Sequence, residues 1–92
     1  MEDYTEYIIF DLRLSLKTAE VYCQVIRDYL EFAKQRGISA DEADNLFIEE
    51  FLKAREIDSR TKAKYCSALS SYYDFKYKNG DIDSHPVALI EK

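Results

Sequence analysis

The sequence predicts an all-α fold of four main helices and a short C-terminal tail. Two glycines and one proline in 92 residues are too few for a sheet protein full of tight turns. Apolar residues also recur at three- and four-residue steps through two long stretches. A helix-start pattern occurs twice: Thr18, Tyr22, Cys23, Ile26 and Tyr29 return at identical spacing as Thr61, Tyr65, Cys66, Leu69 and Tyr72. The hydrophobic content of 47%, with eight tyrosines and five phenylalanines, suits one small domain with a real core and argues against disorder.

A first short helix is expected over residues 4–12, where Tyr4, Ile8 and Leu12 lie a turn apart. Leu14-Ser15 interrupts it, and Ser15 is a good N-cap for a second helix over 16–36. Its stripe is Ala19, Tyr22/Cys23, Ile26, Tyr29/Leu30 and Ala33, and Gly37 supplies the left-handed stop. After an acidic connection, Asn45 can cap a third helix over 46–55, whose stripe is Leu46/Phe47, Glu50/Phe51 and Ala54. Asp58-Ser59 caps a fourth over 60–79, closed by Gly80. The second half of that helix (Leu69, Tyr72, Tyr73, Phe75, Tyr77) is apolar enough to be surrounded by protein, whereas Arg60, Lys62, Lys64 and Ser67 make its first half basic and wet. Pro86 suits the first turn of a final short helix over 87–90.

The net charge of −5 is unevenly spread: −4 over residues 1–12, +2 over 13–36, −5 over 37–58, +4 over 59–80 and −2 over 81–92. The two positive segments are those carrying the repeated helix start. Local potential rather than the total steers a polyanion, so an acidic protein can still present a DNA-binding face. Ser15, Lys17 and Thr18 on one helix start, and Arg60, Thr61 and Lys62 on the other, set hydroxyls and cations where unpaired N–H groups favour phosphate. Arg60, Lys64, Ser67 and Ser71 share a helical face by spacing.

Other chemistry finds little support. No run approaches the ~20 apolar residues of a membrane span, and the acidic start (Met1-Glu2-Asp3) is unlike a signal peptide, so the expectation is a cytoplasmic protein. Cys23 and Cys66 lie within apolar helical patterns and read as small hydrophobes. His85 has no ligand-spaced neighbours, and the carboxylates Asp41, Glu42, Asp44, Glu49 and Glu50 lack the glycine of a calcium loop, so neither metal nor cofactor is expected. Tyr22, Tyr29, Tyr65, Tyr72 and Tyr73 read as core residues, their hydroxyls at its rim.

Leu14-Ser15-Leu16-Lys17-Thr18, then Tyr22 and Phe32, resemble the opening of the SAM-like core-binding domain of tyrosine recombinases and phage integrases. Ser59, Thr61, Leu69-Ser70-Ser71-Tyr72-Tyr73, Phe75, Gly80, Ile82, Pro86 and Ile90 are similar to that domain's last long helix and exit. His85 stands where the family has asparagine, and the family's domains are usually basic. The resemblance implies an orthogonal bundle of two crossed helical hairpins that forms half of a C-shaped clamp on double-stranded DNA. A catalytic domain of the same parent chain would form the other half and hold the nucleophilic tyrosine, leaving this domain non-catalytic. It also implies DNA contacts from Ser15, Lys17, Thr18 and Gln24 on the second helix, and from Arg60, Thr61, Lys62, Lys64 and Ser67 on the fourth. Other recombinase protomers are further expected partners, and Tyr4, Ile8, Ile9 and Phe10 of the first helix could either pack internally or reach such a protomer. The alternative is a stand-alone acidic helical interaction or regulatory module, binding a protein through its acidic 37–58 face or through exposed apolar surface on the first helix.

Overall fold

The computed structural model describes residues 2–55, 57–83 and 86. Among them lie four helices and no strand: α1 (Glu2–Glu6), extended by a π-helical turn over Tyr7–Asp11, α2 (Leu16–Gln35), α3 (Asn45–Ala54) and α4 (Ser59–Lys78). This is the all-α class expected. The short helix expected over 87–90, together with His85, falls outside the described residues, and Pro86 is buried.

The first helix differs from expectation in start and type. It begins at Glu2 and widens after Glu6, where the Leu12 N–H reaches back to the Tyr7 carbonyl at 3.1 Å. The wider turn leaves Tyr4, Tyr7 and Ile8 all buried, which is the packing gain that holds it. The chain then reverses through Arg13, whose φ of 56° is uncommon for a residue with a Cβ.

Helices α2 and α4 pack on each other and share one frame. Each spans 20 residues and ends on a glycine in the left-handed region, Gly37 at φ 69° and Gly80 at φ 79°. After α2 the Gly37 N–H bonds to the Lys34 carbonyl and the Ile38 N–H to that of Ala33; after α4 the Gly80 and Asp81 N–H groups bond to Tyr77 and Lys76 in the same way. Both ends are therefore Schellman motifs. At α3 the cap is one residue earlier than expected. The Asp44 carboxylate accepts the Phe47 N–H at 2.9 Å, and Asn45 is the first helical residue.

The core is aromatic. The Tyr29 ring lies edge-on to Phe51 at 5.1 Å and to Tyr73 at 6.1 Å, while Tyr4 meets Tyr72 at 5.4 Å. Such pairs add roughly 0.5–1.5 kcal/mol beyond area burial. Three of the buried hydroxyls are satisfied inside the core rather than at its rim. Tyr29 donates to the Tyr73 hydroxyl at 2.6 Å, and Tyr73 donates to the Ala40 carbonyl at 2.9 Å, tying α2 and α4 to the α2–α3 connection. The Tyr4 hydroxyl lies 2.7 Å from Ser71 Oγ, which itself donates to the Ala68 carbonyl at 2.7 Å. Burial pushes the Tyr29 phenol up to about 12, and it raises Tyr4 and Tyr73 as well. Among the described residues no buried side-chain polar atom is left without a partner. Ion pairs fasten the outside: Arg36 to Glu50, Arg55 to Asp28 at 3.3 Å, and Lys76 to Asp41 at 2.6 Å.

Candidate nucleic-acid interface

The start of α2 carries a neutral cap. Ser15 Oγ accepts the Thr18 N–H at 3.2 Å and donates to Thr18 Oγ1 at 3.0 Å. A hydroxyl satisfies one end donor without cancelling the positive partial charge of the helix end. Ser15 and Lys17 are exposed, and Thr18 is half-buried. Gln24 sits further along α2 with its amide donating to Asp28 at 3.0 Å, apart from these three.

The start of α4 carries a charged cap. The Asp58 carboxylate accepts the Thr61 N–H at 2.7 Å, a bond that holds this carboxyl below its ordinary value. Ser59 is the first residue of the helix. A permanent negative charge thus lies against the helix end that the sequence offered as a phosphate seat, so the two helix starts are electrostatically unequal. Arg60, Lys62, Lys64 and Ser67 are all exposed and Thr61 is half-buried.

The fold brings the two starts together. Lys17, Thr18, Val21 and Tyr22 of α2 and Lys64 of α4 line a single surface depression. Two lysines from different helices thereby line one strip of surface, together with Thr18. Ser71, read from spacing as part of the same face, is instead buried and bonded to Tyr4 and Ala68. By that point α4 has entered the core, and helical spacing alone cannot tell which stretch of a face is covered.

The cations of α4 divide into two sets. Lys76 is paired with Asp41, and Lys78 lies 3.3 Å from the Tyr7 hydroxyl and 5.3 Å above its ring. Among the described residues Lys17, Arg60, Lys62 and Lys64 enter no ion pair. Lys76, towards the C-terminal end of α4, thus has an internal carboxylate partner, whereas the cations at the start of the helix are open to an outside polyanion. Lys62 points to the other flank, where it lines a depression with Glu49, Leu52, Lys53 and Ile57. Lys53 was missed in the sequence reading. The signal was present, since residues 55–58 are too short a connection to carry the end of α3 far from the start of α4.

Among the described residues no cluster of three or more His, Cys, Asp or Glu is placed to hold a metal ion, and no helix is long and apolar enough to cross a membrane. Cys23 and Cys66 are free and buried.

Comparison with known proteins agrees with this architecture. The chain is 24% identical over 95 residues to a tyrosine recombinase of Pseudothermotoga lettingae, covering 98% of this chain and 33% of the relative. It therefore spans about a third of the length of that recombinase. No solved structure gives a significant match. Residues 1–80 match the family described as phage integrase, N-terminal SAM-like domain, and with most of the chain covered it belongs to that family.

Proposed function

We propose that this chain is the DNA-binding domain of a tyrosine-type recombinase or integrase. It holds double-stranded DNA through phosphate contacts and positions the site for strand cleavage by a separate catalytic domain of the same parent protein. Ser15, Lys17, Thr18 and Gln24 on α2, and Arg60, Thr61, Lys62, Lys64 and Ser67 on α4, form the DNA-facing set. The observation that carries the reading is the meeting of the two helix starts: Lys17, Thr18 and Lys64 line one depression, and these lysines enter no ion pair among the described residues. Phosphate contacts set position and orientation, and the outward residues Arg60 and Ser67 add a modest base preference. The relative's name, tyrosine recombinase, supports the same assignment.

Fluorescence anisotropy of the chain against a labelled duplex, at low and then rising salt, tests it. Affinity is expected to fall steeply with salt and to fall again in Lys62→Ala/Lys64→Ala, with the salt dependence flattened by about one unit of log–log slope per lysine. A duplex affinity no better than that for a single strand, or unchanged in the double variant, rejects it.

A further inference from the structure

The cations of the α4 start are arranged on two flanks. On one, Lys64 joins Lys17 in the depression between α2 and α4. On the other, Lys62 joins Lys53 in the depression between α3 and α4, over an apolar floor of Leu52 and Ile57. Successive helical residues turn by about 100°, so side chains two positions apart leave the axis on nearly opposite sides. Ala63 and Ser67 lie on the outward side between them, and Arg60, one turn before Lys64, lies on the Lys64 side; all three are exposed. A helix with its side chains is about 10–12 Å across, and the major groove is about 12 Å wide. Lysines on opposite flanks of one helix are therefore spaced to meet the phosphates that border a single groove.

We infer that the Lys53–Lys62 depression is a second phosphate seat, which holds the strand opposite to the one held at Lys17–Lys64 and clamps the first half of α4 across one groove. This rests on the DNA-binding reading above and adds to it a third helix, α3, and a strand assignment. Glu49 is the one carboxylate lining this depression. It opposes phosphate there, so the seat is tunable: removing its charge strengthens the contact. Lys53 is exposed and among the described residues enters no ion pair, so it is available to an incoming anion.

The test is strand-resolved phosphate-ethylation interference with anisotropy on the same duplex. Lys53→Ala is expected to lose roughly five- to tenfold in affinity at 0.1 M salt, lowering the log–log salt slope by about one. Glu49→Gln should move affinity the other way, a gain that a folding defect cannot imitate. Interference sites lost in Lys53→Ala and those lost in Lys17→Ala should fall on opposite strands. Duplex binding that is lost in Lys62→Ala/Lys64→Ala but unchanged in both Lys53→Ala and Glu49→Gln overturns the second seat and leaves the general reading standing. Losses confined to one strand overturn the straddling geometry. No duplex binding by the unaltered chain overturns both.

Discussion

Helices α2 and α4 are the same length and end in the same glycine-terminated motif, and a matching set of residues (Cys23 and Cys66, Ile26 and Leu69, Tyr29 and Tyr72) faces inward from each. Their use of that frame differs. Buried residues run along α2 from Ala19 to Ala33, whereas in α4 they begin only at Cys66 and crowd through Tyr73. The first turns of α4 are therefore packed less deeply, with Thr61 and Tyr65 half-buried and the Tyr65 ring stacked on Phe51 at 6.2 Å. The anchored half supplies stability through Leu69, Tyr72 and Tyr73, and the free half can carry Arg60, Lys62 and Lys64 without desolvating them. Separating the two tasks along one helix avoids the cost of burying charge. The caps differ in the same sense, since neutral Ser15 leaves the α2 end positive and Asp58 offsets the α4 end.

The sharpest way to break this comparison is to cut the anchor. Leu69 is fully buried, so Leu69→Ala should cost about 2–5 kcal/mol in urea unfolding. Lys64→Ala, on the free half, should stay within about 0.5 kcal/mol of the unaltered chain. Equal losses in both would mean that the start of α4 is structural.

Alkaline titration probes the phenols that join the two helices. The Tyr29 phenol is raised to about 12, above the roughly 10 of an unfolded tyrosine, so the folded state retains its proton longer. The associated stability is complete below about pH 10 and is lost as pH climbs from there through 12. Far-ultraviolet dichroism should show unfolding setting in over that window, and Tyr29→Phe should remove part of the pH dependence.

Gly37→Ala and Gly80→Ala test whether the two frames are equivalent. An added Cβ meets nothing within 4 Å at either position, so only the left-handed backbone is penalised. Each should lose about 1–2 kcal/mol, with the two losses similar. A much larger loss at one would show that its turn is held by more than the shared motif.

The smallest expected effect concerns the caps. Asn caps a helix about as well as Asp, so Asp58→Asn should keep the fold while removing the charge at the α4 start. Duplex affinity should rise by roughly two- to fivefold at low salt. Because its bond to Thr61 depresses the Asp58 carboxyl, the cap's contribution is present above the unfolded value and lost as pH falls through the lower folded one. That acid-limb dependence should vanish in the variant.

Much of this was readable from sequence because it is local. Apolar periodicity, Ser15 and Asp58 as caps, and Gly37 and Gly80 as stops all act within a turn or two of chain. The repeated start signal revealed that α2 and α4 share a frame, and the charge pattern along the chain located the basic segments. The tertiary structure alone decided which members of a helical face remain wet. Ser71 is buried by Tyr4, 67 residues away, and Lys76 is paired with Asp41. It also decided that Lys17 meets Lys64, that Lys53 joins Lys62, and that Tyr29, Tyr73 and Ala40 form one hydrogen-bonded chain. Periodicity fixes the direction a side chain takes from its own axis. What stands in that direction depends on other helices, whose approach is set by packing the whole core at once.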